Sequence, residues 1–178
     1  MANGSALPVF AIVTPSFNQA AFLEQTIASV LNQRGRGELF EIRYAVIDGG
    51  SRDGSIELIR KYSDQLTYWC SESDRGQSHA INKGFARVHG DYHAYINSDD
   101  FYLPDAFARV VQSGNTSPDA DLIHGICHKV DALGRLVGQQ LSSIRSQADL
   151  LVLWIYWLRP KNIQNFIQPE VFWTRSLH

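Results

Sequence analysis

The sequence has few cysteines, no excess of positive charge and no long apolar run. Two cysteines, Cys70 and Cys127, lie far apart in the 178 residues and do not form the disulfide framework of a small secreted protein. They favour a reducing compartment. The 16 Lys and Arg residues are outnumbered by 18 Asp and Glu residues. A general nucleic-acid binder would carry a basic excess, so this class is disfavoured.

No segment predicts a membrane span or a signal peptide. The longest apolar run covers residues 150–158, which is too short to cross a bilayer. The first eight residues lack a basic region followed by an apolar stretch. The length and the 44% hydrophobic content instead fit a soluble globular protein with a full core. We therefore expect residues 1–178 to form a single domain.

Strand-like and helix-like segments alternate along the first part of the chain. We predict strands over residues 9–14, 40–47 and 66–70, and a fourth strand that leads into Asp99. Segments with helical spacing follow them. Asn18 is the expected N-cap of the first helix, and Pro104 is expected in the first turn of the last one. This alternation predicts an α/β fold, with a mostly parallel sheet and helices on both faces.

The pattern changes after residue 118. Strands are expected over residues 121–130 and 136–141, a helix over residues 146–158, and a mixed segment over residues 163–173. We therefore divide the domain into residues 1–118 and a C-terminal mixed β/α part, residues 119–178.

A polar cluster follows each of the first four predicted strands. Residues 14–18 come after the first strand, Asp48 after the second, Asp74 after the third and residues 97–100 after the fourth. Ligands of open parallel sheets bind beyond the carboxyl ends of the strands. We therefore expect these clusters to meet at one site.

Asp99 and Asp100 are two adjacent carboxylates at the end of an apolar strand. Their desolvation and mutual repulsion are costly unless they are paired. A divalent cation that is also bound by phosphate oxygens would relieve both costs. Structural alternatives stay open, because Asp48 could cap its own glycine-rich turn and Asn97 and Asp100 could bind backbone groups.

The polar clusters belong to longer motifs, namely residues 14–18, 46–55, 74–77, 80–84, 97–100 and 168–175, and Leu23, Ser29 and Val30 continue the first motif. Together and in this order, the motifs resemble those of the glycosyltransferases of family 2, which are inverting enzymes of the GT-A (Rossmann-like) fold.

The resemblance implies a site for a nucleoside-diphosphate sugar. Asp48 would accept a hydrogen bond from the ring N–H of uracil or thymine, so that a UDP- or dTDP-sugar is the expected donor. Asp99 and Asp100 would be the catalytic carboxylates, with Mn²⁺ or Mg²⁺ on Asp99. The implied nucleotide-binding residues are Thr14, Pro15, Ser16, Asn18, Asp48, Asp74, Arg75, Gly76, Asn97 and Ser98.

The same resemblance implies an acceptor hydroxyl on a glycan or a lipid-linked molecule, in bacterial polysaccharide or cell-envelope glycan synthesis. The expected location is the cytoplasm, including the inner face of the membrane. Peripheral membrane association and homo-oligomer formation are left open.

The catalytic base is the part of the family pattern that the sequence does not match. In the family an acidic motif follows the acceptor segment, whereas this chain ends at His178. We therefore expect one of two situations. The domain is truncated before its base, or another carboxylate acts as the base. Glu170 is the candidate for the second situation, and its alternative position is facing solvent. Cys127 stands where the family often has an acidic residue, and we interpret it as packing. A non-catalytic nucleotide-sugar-binding module is one alternative. A nucleotidyltransferase is another, although residues 14–18 lack the glycine and lysine of a phosphate loop.

Overall fold

The computed structural model describes residues 6–131, 133–141 and 168–178. The helix predicted over residues 146–158 lies outside these residues. Within the described residues, no helix has the length and apolar character that crossing a membrane requires. The strands and α-helices are, in order, β1 (Val9–Ser16), α1 (Ala20–Leu31), β2 (Glu41–Asp48), α2 (Ser55–Lys61), β3 (Tyr68–Ser71), α3 (Gln77–Phe85), β4 (Tyr92–Tyr95), α4 (Ala106–Thr116), β5 (Leu122–His124), β6 (Ile126–Val130), β7 (Leu136–Leu141) and β8 (Val171–Thr174).

The main sheet has six strands in the order β3-β2-β1-β4-β8-β5. The pairs β3–β2, β2–β1 and β1–β4 are parallel, whereas β8 is antiparallel to both β4 and β5. The prediction of an α/β fold with a mostly parallel sheet is thereby confirmed.

Helices cover both faces of the sheet, and the residues of β1 alternate between the two faces. Phe10 and Ile12 pack into a core with residues of α1, α2 and α4, such as Phe107. Ala11 and Val13 pack into a second core with residues of α3. Because successive side chains of a strand point to opposite faces, a continuously apolar strand fills both cores.

The start of α1 differs from its prediction. The N-cap position is Gln19 and not Asn18, which adopts a left-handed conformation with φ of 52°. The Asp53 carboxylate caps the helix from another loop, since its Oδ2 accepts a hydrogen bond from the backbone N–H of Ala20 at 2.9 Å. β1 also continues through Pro15, beyond the last residue that pairs with β4. Proline is tolerated there because one side of the strand has no partner.

The strand predicted over residues 121–130 is wrong as a single element. It is divided at Gly125, whose backbone N–H donates to the carbonyl of Glu170 at 3.0 Å. β5 belongs to the main sheet, whereas β6 pairs with β7 in a separate two-stranded sheet. The helix α4 also begins later than predicted, with Asp105 at its N-cap and Pro104 before it.

Gly84 allows α3 to lie directly against β1. A Cβ atom on Gly84 would stand 2.7 Å from Cγ2 of the fully buried Val13 and closer still to its Cγ1. Gly84→Ala should therefore lower the free energy of unfolding by about 1–2 kcal/mol, because overpacking outweighs the gain in helix propensity. Urea denaturation measures this change. Gly138→Ala is the control, since a Cβ atom there meets nothing within 4 Å. Equal stability of the two variants would contradict the close approach.

Candidate functional site

The carboxyl ends of β1, β2 and β4 and the loop after β3 border one cavity of about 610 Å³. Some of the predicted site residues line it, namely Pro15, Ser16, Asp74, Gly76, Asn97, Ser98 and Asp99. The wall also contains residues that the sequence analysis did not assign to the site, namely Phe17, Gln19, Gly49, Ser73, Gln77 and Ala80. The expected convergence of the polar clusters is therefore present. Thr14, Asn18, Asp48, Arg75 and Asp100 are not part of the cavity wall.

Thr14 and Asn18 hold the loop after β1 in place. The Thr14 hydroxyl is fully buried and shares a 2.8 Å hydrogen bond with the Tyr44 hydroxyl. The Asn18 backbone N–H donates to Ser51 Oγ at 2.7 Å, and its side-chain Oδ1 accepts from the Arg52 backbone N–H at 3.0 Å. The two bonds of Asn18 join the loop after β1 to the loop after β2, whereas the Thr14 bond joins β1 itself to β2.

Asp48 organises the turn that follows β2. Its Oδ2 accepts hydrogen bonds from the backbone N–H groups of Gly50 at 3.0 Å and Ser51 at 2.9 Å, and from the Ser71 hydroxyl at 2.6 Å. Its Oδ1 accepts from the Ser51 hydroxyl. The side chain is completely buried. The structure thus gives Asp48 the turn-capping role, while its neighbour Gly49 lies on the cavity wall.

Asp74 and Phe17 approach each other around Gly49. A Cβ atom on Gly49 would lie 3.1 Å from Asp74 Oδ2 and 3.3 Å from Phe17 Cδ2. The other carboxylate oxygen of Asp74 accepts the Gly76 backbone N–H at 2.7 Å. Gly76 has φ of 100°, a conformation that favours glycine. Phe17 is 61% exposed. In the sequence it stands out as a large apolar residue within a polar loop.

Arg75 is exposed beside this cavity. Its backbone N–H donates to His79 Nδ1 at 3.1 Å, which fixes the start of α3.

The two adjacent carboxylates lie in a turn that begins after the end of β4 at Tyr95. Asp99 is exposed to the cavity, whereas Asp100 is half-buried. Asn97 Nδ2 donates to Asp100 Oδ2 at 3.3 Å, and Asn97 Oδ1 accepts from Gln77 Nε2 at 2.6 Å. Burial raises the pKa of the Asp100 carboxyl, the charge of Asp99 raises it further, and the hydrogen bond from Asn97 opposes this rise.

The carboxylate turn fits a divalent cation that is shared with a bound phosphate. Among the described residues, no group of three or more His, Cys, Asp or Glu side chains could hold a metal ion alone. Asp99 and Asp100 are nevertheless hard oxygen donors. Burial raises the pKa of Asp100 most, the charge of Asp99 adds to this rise, and a cation would oppose both effects. Diphosphate and water oxygens would have to complete the coordination.

Glu170 is buried, with only 6% of it exposed. A solvent-facing Glu170 is therefore excluded. The residue ends a 3₁₀ turn in which Gln168 Nε2 donates to the carbonyl of Tyr95, the last residue of β4. Burial raises the pKa of the half-buried Cys127 thiol, and the charges of Glu170 and Asp100 raise it further. The charges of both carboxylates therefore reach Cys127, although none of these three residues is part of the cavity wall.

Comparison with known proteins shows the family. Residues 11–166 match the model of glycosyl transferase family 2, and the chain belongs to this family. An uncharacterized glycosyltransferase of Mycobacterium tuberculosis (strain ATCC 25618 / H37Rv) is 36% identical over 110 residues, which are 61% of this chain and 41% of the relative. One of Haemophilus influenzae is 33% identical over 102 residues, 56% of this chain and 39% of the relative. The chain therefore spans about two fifths of these curated relatives.

Solved structures share the fold at low sequence identity. TarS 1–349 of S. aureus in complex with UDP-GlcNAc has a TM-score of 0.65 at 17% identity, covering 94% of this chain and 46% of that one. Glucosyl-3-phosphoglycerate synthase of Mycobacterium tuberculosis with UDP has a TM-score of 0.61 at 20% identity, and the match covers 96% of this chain and 58% of that one. A mannosyltransferase of Pyrobaculum calidifontis, in complex with GDP-Man and Mn²⁺, has a TM-score of 0.57 at 20% identity, and the match covers 67% of this chain and 36% of that one.

Asp48→Ala should lower the free energy of unfolding by about 3 kcal/mol, because buried donors of the turn lose their charged acceptor. Chemical denaturation measures this loss. Asp64→Ala removes an exposed carboxylate and should change stability by less than about 0.5 kcal/mol. An Asp48→Ala variant of unchanged stability that no longer binds UDP would contradict the turn-capping role and indicate direct contact with the ligand.

Proposed function

We propose that this chain is the donor-binding part of a metal-dependent, inverting glycosyltransferase that moves a sugar from a UDP- or dTDP-sugar to an acceptor hydroxyl. The observation that carries the proposal is the single cavity whose wall contains Asp99, Asp74 and Phe17. Family membership and the nucleotide-sugar complexes of the structural neighbours support it.

The base of the nucleotide would lie at Phe17, Gly49 and Asp74. An aromatic face offers stacking to a flat base, and the missing side chain of Gly49 lets Phe17 and Asp74 come together on this wall. Within the described part of the chain, Asp74 Oδ2 has no hydrogen-bond donor, whereas both oxygens of Asp48 are engaged. We therefore transfer the recognition of the pyrimidine ring N–H from Asp48 to Asp74, and we retain Asp48 as the residue that shapes the loop.

The diphosphate would lie near Asn97, Ser98 and Asp99. Mn²⁺ or Mg²⁺ held by Asp99, with Asp100 beside it, would supply stabilisation of the negative charge on the departing nucleoside diphosphate. Mn²⁺ accompanies GDP-Man in the mannosyltransferase neighbour. Asn97 orients Asp100 in the free protein through its 3.3 Å hydrogen bond.

The described residues after residue 118 would contribute to the acceptor side. Glu170 is the candidate within this chain for the base that removes the proton of the acceptor hydroxyl, because it is a carboxylate in the 3₁₀ turn that binds the end of β4. The proposed acceptor is a glycan or a lipid-linked molecule of bacterial polysaccharide or cell-envelope synthesis. A binding module without turnover is the second candidate, because Glu170 is not part of the cavity wall. Release of free UDP from a UDP-sugar distinguishes the enzyme from this module.

UDP should raise the melting temperature, and Mn²⁺ should increase this shift. At a UDP concentration of about 100 times Kd, the expected stabilisation is about 2.7 kcal/mol. Asp99→Ala should abolish the Mn²⁺-dependent part of the shift, because the metal loses its carboxylate. Differential scanning fluorimetry measures these changes. Asp119→Ala removes an exposed carboxylate and is the control. A full Mn²⁺ effect in Asp99→Ala would reject the metal assignment.

Base recognition by Asp74 predicts a change of preference in Asp74→Asn. The amide oxygen can still accept the Gly76 N–H, while the amide NH₂ group meets a ring N–H in uracil and an acceptor nitrogen in cytosine. UDP affinity should fall about tenfold and the CDP to UDP affinity ratio should rise, since a charged hydrogen bond contributes about 1.5–3 kcal/mol. Isothermal titration calorimetry with UDP, CDP and ADP measures these affinities and their ratios. An unchanged ratio, or equal binding of UDP and ADP by the parent, would refute the assignment.

A further inference from the structure

A row of polar side chains on α1 and just beyond it lies along the loop that follows the carboxylate turn. We call Thr26, Ser29 and Gln33 the α1 polar row. The spacing of three and four residues places them on one side of the helix. Thr26 is 1% exposed and Gln33 is 4% exposed, so their polar groups are shielded from water.

Thr26 and Ser29 bind the backbone on the C-terminal side of Asp99. The Thr26 hydroxyl donates to the carbonyl of Asp100 at 2.7 Å. The Ser29 hydroxyl accepts the backbone N–H of Tyr102 at 3.1 Å and donates to the Thr26 carbonyl at 2.8 Å. These two hydroxyls therefore fix the residues immediately after the exposed carboxylate.

Gln33 continues the row to the start of α4. Its Nε2 donates to the carbonyls of Leu103 at 2.8 Å and Ser29 at 2.9 Å. Its Oε1 accepts the backbone N–H of Phe107 at 3.1 Å. The buried amide of Gln33 thus binds the loop before α4 through its NH₂ group and the first turn of α4 through its oxygen.

The loop needs these partners because it forms neither strand nor helix between Ile96 and Asp105. Buried backbone groups in such a segment are costly unless side chains bind them. On the side of α3, the 2.6 Å bond from Gln77 to Asn97 holds the start of the turn. The α1 polar row holds its end.

We propose that Thr26, Ser29 and Gln33 are positioning residues that keep the Asp99–Asp100 turn in its metal-binding geometry before the nucleotide arrives. This inference rests on the proposed function, since it assigns a role to the turn in binding a metal and a diphosphate. The row contacts the backbone of the turn and not the ligand. It should therefore influence the metal-dependent part of UDP binding and leave the contacts to the base unaffected.

The test compares Thr26→Val, Thr26→Ser and Ser29→Ala with the parent chain, by calorimetry of UDP with and without Mn²⁺. Thr26→Val should reduce the increase in UDP affinity that Mn²⁺ produces by about tenfold, as is typical of partners that orient metal ligands. The affinity for UDP without metal should be unchanged. Thr26→Ser keeps the hydroxyl and should restore the increase. Thr116→Val is the matched control, because its hydroxyl also donates to backbone carbonyls, but at the exposed end of α4.

Hydrogen exchange of the backbone amides provides a readout that needs no ligand. The amides of Asp100 and Tyr102 should exchange faster in Thr26→Val and Ser29→Ala, and at the parent rate in Thr116→Val. Exchange at the parent rate in both row variants would overturn the proposal. So would a full Mn²⁺ increase in Thr26→Val, or equal losses of affinity with and without metal. If the parent itself shows no Mn²⁺ increase, the proposed metal role fails, and the exchange rates alone then decide whether the row positions the turn.

Discussion

Parallel pairing of β1 with β2 on one side and with β4 on the other determines where the candidate site lies. The register joins Ser16 to Asp48 and Val13 to Tyr95, so the loops that follow these strands leave the sheet at the same edge. Strands that are apolar on both faces can pair in this way only when helices cover both faces. The two cores around β1 meet that requirement, and the polar residues are left to the loops.

Hydrogen bonds from side chains link the loops at this edge to one another and to the helices that follow them. Asp53 reaches the start of α1, Asn18 reaches Arg52, and Gln77 reaches Asn97, each across a gap in the sequence. Polar side chains suit this purpose because loops lack the regular backbone partners of strands and helices. The cavity is thus largely formed before a ligand binds, which lowers the cost of ordering it.

The sequence predicted the sheet class and the convergence of the polar clusters, because both follow from local periodicity and from the direction of parallel strands. It did not predict contacts between distant segments. Asn18 has the residue type of a helix cap, yet Asp53 from another loop binds the first turn of α1. Phe22 fits the apolar period of α1 but is 52% exposed, so it lies outside the face of the helix that packs into the core. The division of residues 121–130 at Gly125 depends on Glu170, which is remote in the chain.

The different environments of Asp48 and Asp74 follow from the residues that come after each of them. Asp48 precedes two glycines and a serine, and this tight turn brings backbone and hydroxyl donors back to its carboxylate. Asp74 precedes Arg75 and Gly76, and in the part of the chain that the structure describes the Gly76 N–H is the one donor to its carboxylate. A carboxylate whose oxygens are occupied by the protein stabilises a turn, whereas one with a free acceptor on a cavity wall can bind a ligand. Similar positions after neighbouring strands therefore do not imply similar roles.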